Sequence, residues 1–191
     1  NMVGIAYLNL GNPNQAKKYF ERSTKADKKY ASPLNNLGMI WYQQKNFRKA
    51  IRQYQRAIQI DSQQAGLFAN LGFAYYNTKK YTEAFDAFHK ALELDPHTFE
   101  HNDRTGSMTQ DRSVTNHGLF FFMMAREYAQ LGDAEHCAEY LRKSLDERYP
   151  DIANAKKDPL FKKVLNDPAV QAVLLLLTPA DTKTASAPPG A

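Results

Sequence analysis

The chain has one cysteine, Cys137, so no disulfide can form within it and its fold does not depend on an oxidising compartment. It lacks a long apolar run. The two longest span residues 119–125 and 172–177, far short of the roughly 20 apolar residues that a membrane-spanning helix needs. Its nine glycines are scattered, and none builds a phosphate-binding loop. Histidine is scarce as well. His97 and His101 are four apart, but Thr98 follows His97 where a zinc-protease motif requires glutamate. Asp103 and Asp111 lack the spacing of a calcium loop. No metal, cofactor or catalytic constellation is expected, so the chain reads as a non-enzyme.

Neither sign of charge dominates. A net charge of +5 on 191 residues accommodates an acidic partner without demanding nucleic acid. The composition is that of an ordinary soluble domain and does not choose between cytoplasm and periplasm. Residues 178–191 are mainly Ala, Thr, Ser, Pro and Gly, which cannot bury a core and are expected to be a disordered tail.

What the chain does have is periodicity. Gly4, Gly38 and Gly72 are 34 residues apart. The same step relates Ala16, Ala50 and Ala84; Phe20, Tyr54 and Phe88; and Ser23, Ala57 and Ala91. Each unit has two amphipathic halves. In the third, Leu67, Phe68, Leu71, Ala74 and Tyr75 fall at helical spacing, and Lys79–Lys80 interrupts them. Tyr81, Ala84, Phe85, Phe88, Ala91 and Leu92 form a second stripe, which Asp95–Pro96 stops. A two-helix unit cannot bury its apolar face alone, so neighbouring units must stack.

These columns resemble the tetratricopeptide repeat family, whose 34-residue pattern runs Leu-Gly, Tyr, Ala, aromatic, Ala, Pro. Leu37–Gly38, Ala50, Tyr54 and Ala57 carry it in the second repeat; Leu71–Gly72, Tyr75, Ala84, Phe88, Ala91 and Pro96 carry it in the third. The second repeat departs with Trp41 for Tyr and Ser62 for Pro. The first is a partial copy (Gly4, Tyr7, Gly11, Ala16, Phe20), and a looser fourth runs Ala125, Tyr128, Gly132, Cys137, Leu141, Ser144. The resemblance implies an all-α fold, a right-handed α-α superhelix of stacked helix-turn-helix repeats. The repeats are expected at about 1–30, 31–64, 65–98 and 118–150 of an array spanning 1–148. The register places the first start about four residues before Asn1. Either upstream repeats precede this chain, or a degenerate first helix begins at Met2.

The fourth repeat is displaced by 19 extra residues, 99–117, which are polar and predict a surface insertion or a flap over a groove edge. Asp158–Pro159 and Asp167–Pro168 are helix-start signals. The apolar stripes after them, Leu160, Phe161, Val164, Leu165 and Val170, Val173, Leu174, Leu177, predict short helices over 149–177 that cap the last repeat. Paired Asp-Pro turns of this kind resemble the ending of bacterial tetratricopeptide arrays.

The resemblance implies a protein or peptide ligand in a concave groove lined by the first helix of each repeat, and hence a scaffold or adaptor. The groove columns are Asn36 and Asn70; Met39 and Phe73; Tyr42 with Gln43; and Tyr76 with Asn77. In some arrays of the family an asparagine in the first of these columns bonds the backbone of an extended peptide. Repeats one and four carry Met2 and Met123 there, leaving two such rungs. Arg126, beside Gln130, is expected to meet a ligand carboxylate. The alternative for the tyrosines is packing between helices. The lysine clamp of chaperone-binding members is missing, because its columns hold Asn35, Met39 and Gly66.

Two other readings compete. Lys17, Lys18, Arg22 and Lys25, with Arg48, Lys49, Arg52 and Arg56, predict a convex basic stripe suited to nucleic acid or another anionic surface. No aromatic is expected to interleave with these bases on the exposed side, which disfavours single strands. The chain would also suit the interaction module of a larger enzyme. An uncovered first helix leaves room for pairing with a second copy.

Overall fold

The computed structural model describes residues 1–99 and 116–177. The expected tail, and the expected insertion apart from Phe99, Asn116 and His117, lie outside the described residues. Every regular element among the described residues is helical. The chain divides into two compact units, Asn1–Ser113 and Val114–Ala191.

The first unit holds three helical pairs: α1 (Met2–Asn9) with α2 (Pro13–Ala26), α3 (Ser32–Gln43) with α4 (Phe47–Ile60), and α5 (Ala65–Asn77) with α6 (Tyr81–Leu94). Within a pair the crossing is set by the glycine column. A Cβ on Gly4, Gly38 or Gly72 would come within 3.0 Å of the ring of Phe20, Tyr54 or Phe88, respectively. The missing side chain lets the aromatic of the second helix sit against the backbone of the first, and all three rings are fully buried. Between pairs, Leu37 and Ile40 of α3 pack on Ala16 and Phe20 of α2. One step along, Leu67 of α5 packs with Ala57 of α4. The stacked α-α repeat class expected from the columns is the class found.

The turns repeat as faithfully as the core. Gly11, Lys45 and Lys79 occupy one column and all have positive φ, between 57° and 70°. The amide after each closes back on the helix: Asn12 N on Tyr7 O at 2.8 Å, Asn46 N on Trp41 O at 2.8 Å, Lys80 N on Tyr75 O at 3.0 Å. This is a left-handed helix termination, which glycine adopts freely and lysine adopts under strain. The second helices end alike. Asp27, Asp61 and Asp95 each accept a bond at Oδ1 from the amide two residues on, at 2.8, 3.0 and 3.0 Å.

The second unit contains a fourth pair, α7 (His117–Leu131) and α8 (Ala134–Asp146), joined through Gly132 at φ 83°. Here Ala125 replaces the column glycine and Leu141 the aromatic, and both are fully buried. Short 3-10 turns follow at Ile152–Lys156 and Pro159–Lys163, then α9 (Pro168–Leu174). Asp158 Oδ1 accepts from Leu160 N at 3.0 Å and Asp167 Oδ1 from Ala169 N at 2.8 Å, so both Asp-Pro steps are helix starts. Phe161 stacks on Phe122 of α7, with centroids 5.9 Å apart. Val170, Val173 and Leu174 are buried, and α9 packs on α8.

Candidate functional site

The first helices of the first unit are the place to look for a ligand face, and their composition is distinctive. α1, α3 and α5 contain no Lys, Arg, Asp or Glu. Among the described residues of this unit, charge is confined to the second helices and the turns.

The candidate groove residues on α3 and α5 divide by burial. Gln43 is exposed, and Asn36, Met39 and Asn77 are half-buried. Tyr42, Asn70, Phe73 and Tyr76 are buried, none more than 4% exposed. Phe73 sits edge-on to Phe88 at 5.2 Å, Tyr42 to Phe47 at 5.1 Å and Tyr76 to Tyr81 at 5.4 Å. These rings join first helix to second.

The asparagines are linked across the joints between repeats. Asn36 Nδ2 donates to Asn1 Oδ1 at 3.1 Å, and Asn70 Nδ2 donates to Asn35 Oδ1 at 2.9 Å. Both pairs are 35 residues apart, so one rule serves both joints. Asn77 Nδ2 repeats that separation, donating to the Tyr42 hydroxyl at 2.7 Å as well as to Phe73 O at 2.9 Å. Asn70, expected as an open rung, is instead enclosed and spans two repeats. A buried amide requires such partners. Asn1 and Asn35 were not among the expected residues. Their signal was an asparagine column lying next to the Asn36–Asn70 column.

In the second unit, Arg126 is 9% exposed, and its Nε lies 2.8 Å from Asp158 Oδ2. The atoms meet off the hydrogen-bond axis, so the contact is an ion pair. The carboxylate that Arg126 was expected to take from a ligand comes from the chain's own cap. Gln130 is half-buried, and its carbonyl accepts Lys163 Nζ at 2.6 Å. Cys137 is fully buried. Burial first, then the charges of Asp133 and Asp167, push its thiol up to about 12. It is therefore a packing residue rather than a nucleophile.

The basic stripe also differs from expectation. Trp41 does lie among the bases, with Lys17 Nζ 4.1 Å and Lys49 Nζ 4.2 Å from its ring centroid. Tyr7, one repeat earlier, instead stacks on Tyr19 at 5.4 Å. Met2 of α1 and Leu10, just past its end, are 81% and 78% exposed. No group of side chains able to hold a metal ion occurs among the described residues, and none of their helices is long and apolar enough to cross a membrane.

A family profile described as TPR repeat matches residues 38–79. Two described as tetratricopeptide repeat match residues 65–98 and residues 1–30 with 120–148. No curated protein matches. Among solved structures, the crystal structure of MamA is similar, with a TM-score of 0.53 at 15% identity, covering 91% of this chain and 93% of that one. At that identity the likeness concerns the fold.

Proposed function

Because the chain belongs to the tetratricopeptide repeat family, we propose that it is a protein-interaction scaffold that holds a peptide or protein segment against the first-helix face of α3 and α5. The observation that carries this reading is the uncharged character of that face. Asn36 and Gln43 offer amide donors and acceptors that match a peptide backbone without selecting its side chains, and Asn77, whose two N–H groups are engaged by Tyr42 and Phe73, offers its Oδ1. Met39 offers a deformable apolar contact. Buried Tyr42, Asn70, Phe73 and Tyr76 supply rigidity beneath them, so little ordering is needed on binding. The partner segment is accordingly extended or helical, weakly charged where it lies on this face, and anchored by apolar side chains.

The test is affinity purification with charge placed on the face. Met39→Lys with Gln43→Glu should lose the protein partners that the unaltered chain retains, and Arg48→Glu should keep them. Retention by both variants contradicts the proposal.

A further inference from the structure

A cleft of about 450 Å³ opens between the C-terminal ends of α2 and α4. Its floor is apolar, formed by Leu34, Ile60 and the ring of Tyr30; its rim carries Lys25, Lys28 and Arg56. We propose that this cleft docks an acidic segment of a partner protein, seating one apolar side chain on the floor while carboxylates meet the three cations.

Charge complementarity is the first argument. α4 carries Arg48, Lys49, Arg52 and Arg56 with no acidic residue, and α2 carries Lys17, Lys18, Arg22 and Lys25 against Glu21 alone. α6, in the equivalent position, carries Glu83, Asp86 and Glu93 against Lys90. The positive field is therefore centred on the joint where the cleft lies. The acid in its lining, Asp27, has its Oδ1 engaged by the Lys29 amide at 2.8 Å. Cations in a last helical turn partly serve the helix dipole. Lys25 does so on α2, while Lys28 lies beyond the helix. Arg56 is held from the side by Gln53 Oε1 at 3.1 Å. The guanidinium is thus oriented without losing its charge to a carboxylate.

The next joint supplies an internal comparison. Moving 34 residues along, Lys25 becomes Gln59, Lys28 becomes Ser62, Leu34 becomes Phe68, and Gln59 becomes Glu93. The repeat fold is kept while two of the three rim cations go, the third is matched by Lys90, which pairs with Glu93 at 2.9 Å, and the floor residue enlarges. The cleft chemistry is thus particular to the first joint rather than a requirement of stacking.

Shape selects a peptide over a nucleic acid. Nucleotide binding on a basic face draws on open aromatic rings for base stacking. The indole nearest these bases is Trp41, and it already carries two ammonium groups. The cleft floor is aliphatic apart from Tyr30, whose hydroxyl accepts from Asn1. A leucine or phenylalanine side chain fits that floor, and rim cations favour carboxylates around it.

Fluorescence anisotropy with a fluorescein-labelled peptide of sequence EDLFDE tests this directly, against EDSSDE and single-stranded oligothymidine. Saturable binding of EDLFDE is expected, with EDSSDE at least about tenfold weaker. Lys25→Glu with Arg56→Glu should weaken EDLFDE by about tenfold or more, whereas Arg48→Glu with Arg52→Glu should change it by less than about threefold. These four side chains are exposed, and unchanged thermal melts would confirm intact folds. Met39→Lys should leave the peptide affinity unaltered, which separates this site from the first-helix face. No saturable binding at low ionic strength overturns the proposal. So does equal affinity for EDSSDE, equal loss in the two double variants, or tighter binding of oligothymidine than of EDLFDE.

Discussion

Arg126 of α7 and Asp158 of the capping segment form a buried ion pair, Nε to Oδ2 at 2.8 Å, with the two side chains 11% and 3% exposed. Asp158 does two things at once: Oδ1 caps the Leu160 amide, and Oδ2 neutralises the arginine. Removing one member strands a charge away from water. Arg126→Met should destabilise the protein by about 3 kcal/mol, and adding Asp158→Asn should recover much of that loss. Urea denaturation of the single and double variants checks it.

Gly38 and Tyr54 allow a similar cycle. A methyl on Gly38 would collide with the Tyr54 ring. Gly38→Ala alone should destabilise by about 1–3 kcal/mol. The fourth repeat uses the compensated pair Ala125 and Leu141 in the same columns, both fully buried. Gly38→Ala with Tyr54→Leu should therefore be less unstable than the sum of its single changes.

Asn70 joins repeats two and three, and is fully enclosed. Asn70→Ala removes the donor to Asn35 Oδ1, and should lower stability by about 1–2 kcal/mol. Asn36→Ala, at a half-buried site, should lower it less. Paired denaturation curves read the difference.

Cys137 should resist maleimide in the native protein and react readily once unfolded. Its thiol stays protonated well past the ordinary value of 9.0, up to about 12. The unfolded thiol ionises first, so the stability this group contributes is full below 9.0 and falls as pH rises towards 12. Labelling rates with and without urea, followed by mass, test both statements.

The repeat was legible in the sequence because its causes are local and recur. Glycine beside an aromatic ring, alanine at the crossing and aspartate at the end of the second helix each act within one unit and return 34 residues later. The turn residue Lys79 was legible as an interruption, but neither it nor Lys45 was legible as left-handed, since lysine carries no such signal. The joints were less legible. A bond such as Asn70 to Asn35 links neighbouring columns of different repeats, and only a stacked structure shows that columns one apart face each other. Arg126 was placed by its column, which is blind to a partner outside the repeat; Asp158 satisfied the capping rule and gave no sign of its second role. Trp41 was hidden for a related reason, because its lysines come from two different second helices.

The central claim is that a protein segment lies on the uncharged face of α3 and α5. Its most direct test is a photo-crosslinking amino acid placed at exposed Gln43, with the same residue at exposed Asp86 of α6 as control, followed by mass spectrometry of the adducts. The account predicts that Gln43 yields a defined protein adduct that Asp86 does not, and that Met39→Lys abolishes it. A partner that co-purifies undiminished with Met39→Lys and never crosslinks from Gln43 would contradict it.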